Sequence, residues 1–297
     1  MSGPSSIAAR ARVWECGRFT LSLDHTLVMG VLNVTPDSFS DGGEHDDPAV
    51  AVSFAIEMAA DGADIIDIGG ESTRPGSEEV PPAEEIARIL PVIERLHTQL
   101  DIPLSIDTRH AQVAIAAVEA GASIVNDVAG FSDPAMVEVV RANDVGVVIM
   151  HMLGEPKMMQ DAPEYDDVVT EVRDYLLDRA LALEEVGVVR KRICIDPGIG
   201  FGKSLDHNLA LLRGLSRLTE FGYPVLVGAS RKRMIGEITG VAQARNRLGG
   251  SLAAATWAAE YGAAVVRVHD VAATVQAVTV ADALAAEPDG SVSTQEV

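Results

Sequence analysis

From Leu27 onward the chain repeats one theme: a short apolar run, a polar or glycine-rich stop, then a longer amphipathic or Ala-rich stretch. Short apolar runs bounded by turn residues read as buried strands, and the longer stretches between them as helices. Strands are expected at Leu27 to Leu32, Asp64 to Ile68, Pro103 to Ile106, Ser123 to Val125, Gly146 to Met150, Arg192 to Ile195, Pro224 to Val227 and Ala264 to Val268. The helices between them carry their own signals. Asp47-Pro48 and Asp133-Pro134 place a cap before a Pro at the first helical position, Gly121 ends the helix begun at Ala111, and a last helix runs from Val271 to Ala285. Ahead of the repeat, Val13 to Leu23 alternates apolar and polar residues on either side of Gly17-Arg18, a hairpin suited to closing the bottom of a barrel.

Eight strands alternating with eight helical segments, undivided by any shift in composition, predict an α/β protein: a single (β/α)8 TIM barrel over residues 13–285, with an N-terminal β-hairpin and disordered tails at 1–12 and 286–297. A doubly wound sheet has the same periodicity. What favours closure is that polar groups stand at every strand end: Asn33, Glu71 to Arg74, Asp107, Asn126, His151, Asp196, Ser230 to Lys232, and Arg267 to His269. A barrel brings them to one mouth.

Composition narrows the partners. A formal charge of -21 argues against nucleic acid and anionic membrane surfaces, and any anionic substrate must then be met by a local cluster of cations. No apolar run reaches the roughly 18 residues of a membrane span, and the first residues lack the apolar core of a signal peptide. Cys16 and Cys194 stand apart with no metal-ligand neighbours, as free thiols of a reducing compartment do. The expected location is the cytoplasm.

Candidate chemistry gathers at the strand ends. Asp107, Asn126 and Asp196 are short polar side chains closing apolar strands, and a set of acceptors with an amide suits a flat heterocycle rich in N–H donors and ring nitrogens. A helix cap is the alternative for Asp107. The cations Arg74, Ser230-Arg231-Lys232-Arg233, Arg267 and His269 are the basic exception in an acidic chain. Loops after strands seven and eight are a frequent phosphate site in this fold, so they point to a phosphate or diphosphate; solvated charge is the alternative for Arg231 and Arg233. Arg267 and His269 lie two apart, on one face of their strand, with Val268 turned to the helices. Asp196 to Lys203, DPGIGFGK, is one residue short of a nucleotide-binding phosphate loop; its glycines suit close approach to a ligand, with Phe201 free to stack on a ring. Asn33 and the aspartates of Met29 to Gly43, MGVLNVTPDSFSDGG, could hold Mg²⁺ against substrate phosphate. His25, His45, His97, His110 and His207 show no ligand spacing with other Cys, His or Asp residues, which argues against a zinc site.

MGVLNVTPDSFSDGG, DIGGESTRPG, SIDT, VNDV, MHM, DPGIGFGK, GASRK and RVHDV, in this order and at barrel-repeat spacing, closely resemble the dihydropteroate synthase family of the folate pathway. The resemblance covers roughly Val28 to Val271. It implies transfer of a dihydropterin-6-ylmethyl group from its diphosphate ester to 4-aminobenzoate, and a homodimer. Carried over residue by residue, it implies that Asp107, Asn126, Asp196 and Lys232 bind the pterin, with Met150 and Phe201 lining its pocket. Asn33, Arg267 and His269 would meet the diphosphate and its Mg²⁺. Thr73, Arg74, Pro75 and Ser230 would shape the aminobenzoate side, and Asp41 would stabilise a cationic intermediate. Pterin-binding methyltransferases share the barrel and the Asn/Asp pocket but do not need STRPG or the Ser-Arg-Lys after strand seven. A non-catalytic pterin binder and a sugar-phosphate isomerase are the other readings. Asn33, Lys232, Arg267 and His269 argue against the former. The latter would want a Glu or Lys base and a glycine-rich phosphate loop after strand seven, neither of which is evident.

Overall fold

A computed structural model describes residues 11–35, 48–71, 80–154 and 163–286. Alternation before Leu23 yields an antiparallel hairpin, β1 (Val13–Cys16) and β2 (Phe19–Ser22), turned at Gly17, whose φ of 62° is open to a residue without Cβ. The apolar runs give β3 (Leu27–Asn33), β4 (Ile65–Gly69), β5 (Leu104–Asp107), β6 (Ile124–Asp127), β7 (Gly146–Met150), β8 (Ile193–Asp196), β9 (Leu226–Val227) and β10 (Val265–Val268). These eight lie parallel in the order β8-β7-β6-β5-β4-β3-β10-β9. A bridge between Ile195 and Val225, with Ile195 N–H donating to Pro224 O at 2.9 Å, joins the two ends. The sheet is a barrel.

Around it stand α1 (Pro48–Ala60), α2 (Pro82–Gln99), α3 (Ala111–Glu119), α4 (Pro134–Ala142), α5 (Val168–Glu185), α6 (Leu205–Arg213), α7 (Ser216–Thr219), α8 (Arg233–Thr239), α9 (Leu248–Glu260) and α10 (Val271–Ala285). Asp133 caps α4 by accepting from Ala135 N–H at 2.9 Å, as its place before Pro134 predicts. The last two connections each hold two helices where the repeat predicts one: Gly214 separates α6 from α7, and Gly240, at φ 74°, ends α8. The tails expected at 1–12 and 286–297 fall almost wholly outside the described residues.

Side chains alternate across the sheet and make two apolar layers. Ile66, Ile68, Ile106, Val125, Val147, Ile149, Ile195, Val266 and Val268 face the helices. Leu27, Met29, Ile65, Ile124, Val148, Cys194, Leu226 and Val265 face one another inside the barrel, and Trp14 and Cys16 of the hairpin join that inner cluster. Trp14 is fully buried, and its indole N–H donates to Arg192 O at 2.8 Å. A Cβ at Gly146 would come within 2.6 Å of Cys16 Sγ, so a glycine there lets the hairpin seat. The hairpin is the floor of the barrel. Burial pushes both thiols, Cys16 and Cys194, well above their ordinary range.

Candidate active site

One pleat above the apolar floor the inward positions turn polar. Ile65 is followed by Asp67, Ser105 by Asp107, Ile124 by Asn126, Val148 by Met150, Cys194 by Asp196 and Val265 by Arg267, each pair two residues apart on one strand. Several of these residues close their strands rather than open the loops, because β3, β5, β6 and β8 run on to Asn33, Asp107, Asp127 and Asp196. Rigid backbone thus holds the polar ring. Asp107 is not the cap of α3; that position is His110, whose side chain makes no capping bond.

Arg267 sits at the centre. Its Nε donates to Asp67 Oδ2 at 2.5 Å and its Nη2 to Asp107 Oδ2 at 2.6 Å, while Asn126 Nδ2 lies 3.4 Å from Asp67 Oδ2. The other oxygen of Asp107, Oδ1, is buried with no hydrogen-bond partner among the described residues. Such an acceptor is costly unless a ligand meets it. Burial pushes Asp107 up to about 7 against the pull of Arg267, and burial likewise raises Asp196 against the pull of Lys232.

Lys232 comes to this ring from the start of α8. Its ammonium donates to Ile199 O and lies 4.4 Å above the Phe201 ring, and burial pulls it down to about 8. The residues predicted as a phosphate cluster therefore separate. Arg231 pairs with Asp270 at 2.5 Å and Arg233 with Glu237 at 2.6 Å, which leaves Lys232 facing the cavity. His269 stands beside Ser230, Nδ1 to Oγ 3.1 Å, so the ends of β9 and β10 share a polar contact.

Two of the three glycines in the loop after β8 do something other than predicted, while Gly200 lies against the Lys232 side chain. A Cβ at Gly198 would fall 1.9 Å from His151 O and one at Gly202 2.4 Å from Leu153 O, both at positive φ. Protein backbone, not a ligand, occupies that space. Gly198 N–H donates to Asp196 Oδ1 at 2.7 Å, so the tight packing also orients that carboxylate. Lys203, buried behind the loop, donates to Phe201 O at 2.9 Å and meets His151 Nδ1 at 3.0 Å. Burial lowers both, Lys203 to about 7 and His151 to about 3.

Asp41, Thr73, Arg74 and Pro75 lie outside the described residues. The residue missed by sequence reading is Asp67. It lies mid-strand in the run IIDIG, and a lone carboxylate inside a buried strand was the available signal.

A family model described as pterin binding enzyme matches residues 29–269. The dihydropteroate synthase of Escherichia coli K12 is 46% identical over 264 residues, 89% of this chain and 93% of the relative. That of Neisseria meningitidis serogroup C is 48% identical over 276 residues, 92% and 97% of the two chains. The chain belongs to the dihydropteroate synthase family.

A solved dihydropteroate synthase structure from Xanthomonas albilineans with 4-aminobenzoic acid superposes with a TM-score of 0.89 at 51% identity, covering 94% of this chain and all of that one. A second from that organism, in complex with 7,8-dihydropteroate, gives 0.85 at 48% identity, over 93% and 100% of the chains. As a dihydropteroate synthase the protein is a transferase of folate biosynthesis on a TIM barrel. The methyltransferase and isomerase readings are set aside by this match. None of the helices described is long and apolar enough to cross a membrane.

Proposed function

We propose that the polar ring at the barrel mouth binds 6-hydroxymethyl-7,8-dihydropterin diphosphate and condenses it with 4-aminobenzoate to 7,8-dihydropteroate and diphosphate. The observation that carries the residue assignment is the buried, unpartnered Oδ1 of Asp107 beside Arg267 and Asn126. Asp107, Asn126 and Asp196 hydrogen-bond the pterin, Met150 and Phe201 line its pocket, and Lys232 adds a cation near Asp196. Arg267 and His269 face the diphosphate, and Ser230 lies between that group and the aminobenzoate. Thr73, Arg74, Pro75 and Asp41 complete the site by family resemblance alone.

In the reaction the methylene C–O bond breaks with its electron pair leaving on diphosphate, the aminobenzoate nitrogen forms the new C–N bond, and the amine gives up one proton. Arg267 and His269 stabilise the departing charge, and the electron-rich pterin spreads the positive charge left behind. No protein nucleophile is required. Asn33, closing β3, offers the hard amide oxygen that Mg²⁺ favours, with substrate oxygens and water for the rest. When bound, Mg²⁺ would supply charge neutralisation at the diphosphate.

The protein acts in the cytoplasm, a setting supported by two buried free thiols, with residues 13–285 as one domain. It assembles as a homodimer: α9 and α10 leave Leu248, Trp257, Val280 and Leu284 exposed, apolar surface suited to a second copy. The segment of α9 is thus both barrel helix and outer face, since Ser251, Ala255 and Ala258 are buried.

The test is calorimetric titration of 4-aminobenzoate with Mg²⁺ present, with and without pyrophosphate and a pterin, followed by a turnover assay. Aminobenzoate binding that needs the filled anion site, with dihydropteroate formed on turnover, is expected. Pterin binding with neither would overturn the reading. Asp196→Asn should weaken pterin binding by at least ten-fold with the fold intact, and unchanged affinity would remove Asp196 from the pocket.

A further inference from the structure

Outside the barrel cavity, three segments distant in sequence bring ligand-type atoms together. Glu71 lies just past β4, Glu85 is in the first turn of α2, and His110 precedes α3; one atom from each lies within 4.8 Å of the others. Glu85 is fully buried, neither carboxylate oxygen is in hydrogen-bond geometry among the described residues, and burial pushes the carboxyl up to about 7 against the pull of Thr108 and Arg109. It is turned into the cluster, where His110 Nε2, also buried and without a hydrogen bond among the described residues, lies 3.5 Å from Glu71 Oε2. Gly70 makes room for this: a Cβ there would meet Glu85 Cγ at 2.9 Å. Arg109 supplies a positive charge, bonding Glu71 at 3.3 and 3.4 Å and acting on Glu85 through space. That leaves a buried carboxyl facing an imidazole nitrogen; alone it is held towards its protonated form, and a bound cation would favour the carboxylate.

We propose that Glu71, Glu85 and His110 form a second metal site, for a divalent first-row transition ion, separate from the Mg²⁺ site at Asn33. Two carboxylates and one imidazole suit Zn²⁺ or Mn²⁺, with Zn²⁺ held the more tightly, whereas Mg²⁺ and Ca²⁺ favour oxygen donors throughout. Glu71 is shared between the ion and Arg109. The ion is a clamp: it ties the end of β4, the first turn of α2 and the turn into α3, and so steadies the strands that carry Asp67 and Asp107. The proposal stands apart from the substrate assignments.

The experiment is calorimetric titration of Zn²⁺ into the full chain, first stripped with chelator and then held in excess Mg²⁺ to fill the hard-oxygen site. One ion per chain is expected, with affinity lowered at least ten-fold in both Glu85→Gln and His110→Gln and unchanged in Asn33→Ala. Absent binding, or binding that survives both substitutions, overturns the proposal. A readout free of any variant is pulsed electron paramagnetic resonance of the Mn²⁺-loaded chain in excess Mg²⁺. Nitrogen modulation from a coordinated imidazole is expected, and a manganese signal without it overturns the proposal even if the variants fail to fold.

Discussion

Arg267 uses two different nitrogens for two different carboxylates, Asp67 and Asp107, and this double hold fixes where its remaining N–H groups point. A guanidinium presented this way keeps its charge, since the two carboxylates push it well above its ordinary range against the cost of burial. Asp67→Asn removes one anchor and leaves the cation in place. The expected result is a loss of about 10- to 100-fold in kcat/KM for the pterin ester, from about 2 kcal/mol of lost ion-pair and hydrogen-bond stabilisation, read by steady-state kinetics. Lys232 sets the pH limit. Its cation faces Asp196 on β8, Asp107 on β5 and Arg267 on β10, and burial lowers it to about 8. The charge is present below that pH and lost above it, so kcat/KM should fall as pH rises through about 8. Stability moves the other way: the unfolded lysine still holds its proton between about 8 and 10.5, so folding is favoured as pH rises across that window. Lys232→Arg should move the basic limb of the rate profile upward, and a limb that stays where it was would assign it to another group.

At the scale of elements, the hairpin and the glycine loop are each held by a close fit. Trp14 fills the floor with one indole and one hydrogen bond, so Trp14→Ala should cost about 3–5 kcal/mol in chemical denaturation while the remaining folded protein keeps its kcat. Gly198→Ala should cost function as well as stability. It forces a Cβ toward His151 O from a left-handed backbone and displaces the N–H that orients Asp196, so pterin affinity should drop together with the melting temperature. These two elements also mark what could be read from sequence. The strands, the hairpin turn at Gly17 and the cap at Asp133 were legible because each is decided by local pattern. The role of the glycines was not, since the backbone they accommodate belongs to residues 151–153, some fifty positions away. Arg231 was ambiguous for the same reason, since its carboxylate, Asp270, lies 39 positions on; Arg233 was not, because Glu237 stands one helical turn away. Asp67 is hard to see because one carboxylate inside the apolar run IIDIG does not disturb the strand pattern. The cluster of Glu71, Glu85 and His110 has no motif at all.

For the whole molecule, the barrel's weakest seam is β9, two residues long and joined to β8 through a single bridge at Val225. Native-state hydrogen exchange should therefore find the amide of Ile195 opening before that of Ile66, which donates to Pro103 O beside β5, where the β4–β5 pairing runs over four residues. Equal protection at both would show the seam to be as firm as the rest. The sealed floor has another consequence. With Trp14 and Cys16 stoppering one end, the cavity is a blind tube, and two reactants and two products all share one doorway. Traffic in a dead end is a matter of queueing: whatever seats deepest must arrive first and depart last. On the assignment proposed above, a pterin resting on Asp107 and Asp196 would block nothing by being early, whereas an aminobenzoate that came first would stand in its way.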